Sequence, residues 1–355
     1  MMRVGVGGQA GFDGQFFLRL AQDPLVGPAT AGALDAPMLR ARRIGLPVAG
    51  WILAPLAGSP AAGLLLAEIA LLALLIAEVQ QGACAWKLSP FAVLAVPLAL
   101  PFALSLGLVT AEIGVAAFVL LAANAARLRT LPVMIGALAA ACLFKEAGVL
   151  AVLAFACASF LQGRRREGLL TLTALLPFAG WHVVLSVRLG DGAGLHGLLT
   201  NVSVPGAGVS RGMVEQLAAL HSGPAELKAA GLLAAMLWYV AGSVLALLLL
   251  RGGPTPGRLL SLAGALLVLT LSSGGPAQAY NEVFNFGRQL FLLPAGLLAV
   301  LFEETSSLSG RLRGALLTWF AAGTLLGVGW FLQESVLPAI QELAQSAEAF
   351  LQVGR

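Results

Sequence analysis

The stretch AAGLLLAEIALLALLIAEVQ, residues 61–80, decides the fold class of this chain. Apart from Glu68, Glu78 and Gln80 it contains only apolar residues and glycine, and it has the roughly 20 residues that a helix needs to cross a bilayer. Because backbone N–H and C=O groups cannot stay unpaired in lipid, such a run must be helical. It therefore predicts a transmembrane helix.

Composition and further apolar runs extend this prediction to most of the chain. The 355 residues are 59% hydrophobic and 11% charged, whereas soluble domains carry about 25% charged residues. The mean hydropathy is +0.90. These values predict an all-α, polytopic helical membrane protein of about ten transmembrane helices. The other predicted spans are 91–108, 109–125, 131–143, 147–161, 168–187, 229–250, 259–273, 289–302 and 315–332.

The spans divide the chain into three regions. Residues 1–57 are expected to form an outer loop that ends in a helix near 44–56, lying in the membrane interface. Residues 58–332 form the transmembrane bundle, with a long outer loop at 188–228. In residues 333–355, apolar side chains recur at helical spacing, which predicts an amphipathic tail on the membrane surface or, alternatively, a helix that binds a partner protein.

Basic residues are concentrated in alternate loops. One set of loops holds Lys87, Arg127, Arg129, Arg164, Arg165, Arg166, Arg251, Arg258, Arg311 and Arg313. The positive-inside rule places this set in the cytoplasm and the remaining polar segments outside. The rule also explains the net charge of +4, so we expect membrane lipids and no nucleic acid as partners. An outward N-terminal segment further predicts a spanning helix before Met1.

One short polar segment, GFDGQFFLRL at 11–20, stands out from the apolar chain. Asp13 lies between two glycines, which permit unusual backbone angles and the close approach of a ligand. We take Asp13 as the candidate centre of an active site and Gln15 as a candidate substrate-binding side chain. The alternative role for Asp13 is an Asx-turn that leads into a helix.

Three more charged residues fall in segments that we place on the outer face. Glu112 either stabilises the positive N-terminal end of a helix or acts as a second catalytic carboxylate facing Asp13. Lys145 and Glu146 form either a structural ion pair or a site where the lysine holds a phosphate. In the second case Glu146 is a candidate substrate-binding residue.

Two outer segments carry arginines that suit a phosphate group. Arg42 and Arg43 precede the interfacial helix, and guanidinium groups bind phosphate in bidentate fashion; attraction to anionic lipid headgroups is the other explanation. In the segment 280–288, Asn281 and Glu282 are typical of sugar-binding sites, and Arg288 could reach a phosphate. Anchoring in the aromatic belt explains the phenylalanines of that segment equally.

Metal binding stays open at this point. The three cysteines and three histidines show no metal-ligand spacing. They are Cys84, Cys142, Cys157, His182, His196 and His221. A possible divalent cation shared by Asp13 and Glu112 is the remaining arrangement, because carboxylate oxygens suit such ions.

Six short motifs resemble segments of bacterial GT-C type glycosyltransferases. They are GFDGQFF at 11–17, AQDP at 21–24, RRIGLP at 42–47, TAE at 110–112, FKE at 144–146 and FGR at 286–288. The resemblance implies a multi-pass enzyme of the bacterial plasma (inner) membrane, with an active site facing the periplasm or exterior. It also implies a lipid-linked donor, a polyprenyl-phosphate sugar.

On this basis Asp13 is the general base of an inverting transfer, and Arg42 or Arg43 meets the donor phosphate. Lys145 and Arg288 are further cations that would stabilise the leaving phosphate. Two alternatives belong to other classes. One is a non-enzymatic transporter or flippase of lipid-linked sugars, for which Glu68 is the main polar residue inside a span; the other is a structural membrane subunit.

Overall fold

The computed structural model describes residues 13–34, 36–86, 96, 99, 101–102, 110–190, 207–220, 226–270, 290–303 and 308–332. The described part is all-α and has no strand, which confirms the predicted class. In chain order the helices are α1 (Asp13–Gln22), α2 (Pro28–Gly32), α3 (Pro37–Ala41), α4 (Gly45–Ala57), α5 (Pro60–Trp86), α6 (Glu112–Arg127), α7 (Leu131–Phe144), α8 (Gly148–Leu161), α9 (Arg165–Leu172), α10 (Leu176–Leu189), α11 (Ala207–Ala219), α12 (Glu226–Leu249), α13 (Pro256–Thr270), α14 (Leu292–Glu303) and α15 (Gly310–Phe331).

Four helical segments are long and apolar enough to cross a membrane. They are Pro60–Cys84, Arg165–Leu189, Ala229–Gly252 and Gly310–Trp330. Shorter apolar helices accompany them, including α4, α7, α8, α13 and most of α14. This pattern indicates a multi-pass membrane protein. The segment Arg165–Leu189 joins α9 and α10 through a 3₁₀ turn at Thr173–Leu175, just before Pro177, a residue that lacks the N–H needed for a regular helix.

The observed helices follow the predicted spans closely where the structure describes them. The predictions at 131–143 and 147–161 correspond to α7 and α8 within one residue at each end. Two features differ. The loop predicted at 188–228 contains α11, and the N-terminal region folds into four helices, α1 to α4, whereas one was predicted. Most of the span predicted at 91–108, and the tail 333–355, lie outside the described residues.

The turn between α4 and α5 fixes the entry to the bundle. Gly58 ends α4 in the left-handed conformation, with φ of 81°, and its N–H bonds to the carbonyl of Ala54, a geometry that glycine adopts without steric cost. The two helices then run back along each other as a hairpin. They pack so closely that a side chain on Gly50 would collide with Leu64.

Hydrogen bonds between loops define the two ends of the bundle. The Gln162 side chain donates to the carbonyl of Pro254 at 2.7 Å, so the arginine-bearing loops after α8 and α12 lie together. At the opposite end, Trp181 of α10 donates to the carbonyl of Ala41 at 2.8 Å. The N-terminal helices therefore cover the end away from these arginines, which we call the outer end.

Two tryptophans lock α12 to α15. The rings of Trp238 and Trp319 stack with centroids 4.0 Å apart, and each indole N–H donates to the other residue's carbonyl at 2.7 Å. Gly242 and Gly323 leave the space that the two rings fill. Small residues that admit close contact are typical of helix packing in membranes.

Candidate functional site

The site is built around the turn between α7 and α8. Lys145 leaves the helix in an extended conformation, with φ of −159° and ψ of 145°, and its carbonyl accepts the Gly148 N–H at 2.9 Å. The turn thus places two adjacent charged side chains, those of Lys145 and Glu146, at the outer end. Each of them forms an ion pair with a different segment of the chain.

Lys145 pairs with Glu112 in the interior. The Nζ–Oε1 distance is 2.6 Å, and the two side chains are only 7% and 1% exposed. Glu112 is the first residue of α6, where the helix dipole favours a negative charge. Phe291, which precedes α14, lies with its ring centroid 5.4 Å from Nζ. The structural alternative for Glu112 placed it at a helix start, where it lies, but neither alternative anticipated the lysine partner.

Glu146 pairs with Arg43 in bidentate geometry. Nη2 of Arg43 lies 2.8 Å from Oε1, and Nε lies 3.1 Å from Oε2. Burial by itself would raise the pKa of Glu146, but the charge and hydrogen bonds of Arg43, together with the charge of Lys145, lower it well below its usual range. The pair ties the segment before α4 to the α7–α8 turn.

This ion pair predicts a loss of stability in acid. Because the pKa of Glu146 is lowered in the folded protein, its contribution is full above the unfolded value of about 4.5 and fades as the pH falls below it. Glu146→Gln should cost about 1.5–3 kcal/mol at neutral pH, since it removes hydrogen bonds between charged groups. Melting temperatures of the two proteins should converge as the pH drops below 4.5; a constant difference would contradict the assignment.

Phe144 holds the two ion pairs together. A side chain on Gly45, at the start of α4, or on Gly114, in the first turn of α6, would collide with the Phe144 ring. The ring also lies 5.4 Å from that of Phe118. One aromatic side chain therefore fixes the distance between the three segments that carry Arg43, Glu112 and Lys145.

Arg42 is buried beside these pairs. Its side chain is 7% exposed, and its buried Nε has no hydrogen-bond partner among the described residues. Burial lowers the pKa of Arg42, although the Glu146 charge opposes that effect. A buried guanidinium with an unused donor is costly, so the Arg42 side chain is suited to bind an added anion.

Glu68 brings a third carboxylate to the outer end. It lies in α5, is 3% exposed, and neither carboxylate oxygen has a hydrogen-bond partner among the described residues. Glu78, ten residues further along the same helix, differs because Asn124 donates to it at 2.7 Å. Sequence reasoning noticed Glu68 but gave it no place in the site.

The structure brings together only part of the predicted site. Arg42, Arg43, Glu112, Lys145 and Glu146 converge at the outer end, although they come from three parts of the sequence. Asn281, Glu282 and Arg288 lie outside the described residues, and so does the side chain of Asp13. Among the described residues, no group of three or more His, Cys, Asp or Glu side chains is arranged to hold a metal ion.

Helix α1, which begins at Asp13, packs on the bundle at this end. Phe17 and Leu20 are buried, and Phe16 lies under the Arg40 guanidinium at 4.2 Å. Gln15 is half-buried on the same helix. Asp13 therefore lies about one helical turn before Phe16, the residue that contacts Arg40 in the basic segment 40–43. The contribution of Phe16 and Phe291 could not be read from the sequence, where they resemble ordinary membrane anchors.

Two apolar grooves flank the N-terminal helices. The larger, about 590 Å³ in volume, is lined by residues of α1, α4 and the start of α5, including Gln22, Trp51 and Pro55. The second, about 310 Å³, lies between α4, α7 and α10, with Ile44 and Trp181 in its wall. Their walls suit the hydrocarbon part of a lipid, since they are mainly apolar.

Comparison with known proteins adds no family to this description. No family model, curated protein or solved structure matches the chain.

Proposed function

We propose that this chain is a membrane glycosyltransferase that moves a sugar from a polyprenyl-phosphate donor to an acceptor at the outer face of a bacterial inner membrane. The observation that carries the proposal is the buried Arg42, which has an unused donor beside two fixed ion pairs. A preorganised cationic site of this kind stabilises a leaving phosphate. The resemblance of the motifs around it points to the same reaction.

The chemistry that we propose is an inverting displacement. Asp13 accepts the proton of an acceptor hydroxyl, whose oxygen attacks the anomeric carbon. The bond between that carbon and the phosphate oxygen breaks, and the lipid phosphate leaves with the bonding electrons. A carboxylate base must lie within hydrogen-bond reach of the hydroxyl for this step.

The ion pairs divide the cations between two roles. Arg43 is held by Glu146 and Lys145 by Glu112, so we assign these pairs to positioning the segments around the site. Arg42 is assigned to the donor phosphate, and Arg288 is proposed as a second phosphate ligand. The smaller apolar groove, between α4, α7 and α10, would accommodate part of the lipid chain.

A transporter or flippase of lipid-linked sugars is the second candidate. Glu68 favours it, because a buried ionisable residue inside an apolar helix marks a transport pathway in many membrane proteins. Such a protein would move the donor across the bilayer without breaking the bond between sugar and phosphate.

The decisive experiment is a transfer assay with the full chain in detergent or nanodiscs. Polyprenyl-phosphate sugar, labelled in the sugar, is incubated with the protein and candidate acceptors. The proposal expects labelled acceptor and an equal amount of released polyprenyl phosphate. Intact donor translocated across proteoliposomes, with no release of lipid phosphate, would favour the transporter and overturn the enzyme.

Arg42→Gln tests the phosphate role. A lost hydrogen bond to a charged group costs about 1.5–3 kcal/mol, so kcat/KM for the donor should fall about 10- to 100-fold. Arg42→Lys should recover part of the loss, because it restores the charge without the planar guanidinium. Arg19→Gln is the matched control, since Arg19 is an exposed arginine of α1 and should leave kcat/KM unchanged. Equal values for Arg42→Gln and the unmodified protein would remove Arg42 from the site.

A further inference from the structure

Glu68 belongs to the buried face of α5, where its nearest neighbours along that face are apolar. Leu64, Ala67, Leu71 and Leu75 share this face and are buried; the three- and four-residue spacing places them on one side of the helix. The carboxyl group of Glu68 therefore points into the bundle, and both of its oxygens are buried there without a partner in the described part of the chain.

The register of α5 and α6 places Glu68 level with Glu112. Asn124 of α6 donates to both the backbone carbonyl and the carboxylate of Glu78 in α5. Glu68 lies ten residues before Glu78, and Glu112 lies twelve residues before Asn124. At about 1.5 Å per residue these steps are about 15 and 18 Å. Because α5 and α6 pack against each other and the charge of Glu112 acts on Glu68, the two carboxylates lie at about the same level of the bundle.

No cation among the described residues forms a hydrogen bond with the Glu68 carboxylate. The helix α4, which packs on α5, has no ionisable residue, and α14 has one only at its far end, Glu303. From α6 the charge that acts on Glu68 is that of Glu112, which repels it. Lys145 is already paired with Glu112 at 2.6 Å. On α1, Arg19 is exposed and Asp13 carries a charge of the same sign as Glu68.

From this arrangement we infer that Glu68, together with Glu112, binds one exchangeable positive charge, either a proton or a sodium ion. A buried carboxylate without hydrogen bonds is not retained as a bare ion in apolar surroundings. Either source supplies one positive charge to oxygen ligands. When the proton or sodium ion is bound, Lys145 stays paired with Glu112. When it is lost, the carboxylates of Glu68 and Glu112 compete for Lys145. The inference is independent of the proposed transfer reaction.

Infrared spectroscopy of the full chain in lipid tests the proton. A protonated carboxylic acid has a C=O stretching band apart from the carboxylate and amide bands. If Glu68 carries a proton, the unmodified protein should show this band and the Glu68→Gln variant should lack it. Glu78→Gln is the matched control, because Glu78 lies on the same face but has a hydrogen-bond donor in Asn124; that variant should keep the Glu68 band.

The sodium ion is tested on the same samples by melting temperature. If sodium is the ligand, replacing potassium by sodium at constant ionic strength should raise the melting temperature of the unmodified protein by about 2–4 °C, and Glu68→Gln should abolish the shift. Both measurements can be made on the unmodified protein, so the result does not depend on the variant folding. An unmodified protein with neither a carboxylic acid band nor a sodium-dependent shift would overturn the inference.

Discussion

Lys145→Met should destabilise the protein by about 3–5 kcal/mol, the cost typical of breaking a buried ion pair by removing one partner. Methionine fills a similar volume, so the main loss is electrostatic. Glu112 is 1% exposed, and without the ammonium group its charge would lose this ion pair in the interior. The expected result is a clearly lower melting temperature of the protein in detergent.

The double variant Lys145→Met with Glu112→Gln distinguishes pairing from packing. It removes both charges, and replacing a whole buried pair by neutral groups is often close to neutral. We therefore expect it to recover most of the lost stability. The exposed pair of Arg211 and Glu215 provides a control, since its side chains are 64% and 38% exposed. Arg211→Gln should cost no more than about 1 kcal/mol. If the double variant is as unstable as the single one, Lys145 stabilises the protein by packing and not by its charge.

Asp13→Asn should lower the transfer rate by about 100- to 10,000-fold, the usual contribution of a general base. Asparagine has nearly the same shape as aspartate and also suits the start of a helix, so α1 should still begin at this position. It cannot accept the proton of an acceptor hydroxyl. Single-turnover assays with saturating donor should show the loss in the chemical step, with donor affinity little changed.

Asp23 offers a matched control for this substitution. It follows the end of α1, and its carboxylate accepts hydrogen bonds from the Gly27 N–H at 2.6 Å and the Thr30 hydroxyl at 2.8 Å. Asp23→Asn should weaken this turn while leaving the transfer rate unchanged. Undiminished transfer by Asp13→Asn would mean that another group is the base. Transfer reduced equally in both variants would point to a structural role for the N-terminal helices.

The limits of the helices could be predicted from the sequence better than the contacts between side chains of different segments. The limits of α7 and α8 could be read because their apolar runs end at polar residues or turns. A helix in a bilayer ends near the same positions, since its apolar length matches the hydrocarbon layer. The outer segments with Arg43, Glu112 and Lys145 were also selected, since charged residues near membrane depth are costly. Their pairing could not be read, because Arg43 and Glu146 are 103 residues apart in the chain.

Residues without a polar signature were the hardest to predict. Apart from its place in the FKE motif, nothing in the sequence distinguishes Phe144 from other apolar residues at helix ends or shows that its ring lies between three segments. The helix α11 was missed because a short segment rich in glycine and small residues has weak helical periodicity. Glu68 was visible as an isolated charge, but its lack of a donor depends on how α4, α6 and α14 surround it, and that is a property of the tertiary structure.

The contact of Phe144 with Gly45 and Gly114 has a consequence for genetics. Both glycines lack a functional group, yet a single added methyl at either would collide with the ring and shift segments that carry the charged pairs. Loss-of-function alleles should therefore arise at these two positions as readily as at the charged residues. A smaller side chain in place of Phe144 would make room for the added methyl, so second-site suppressors of such alleles should map to codon 144.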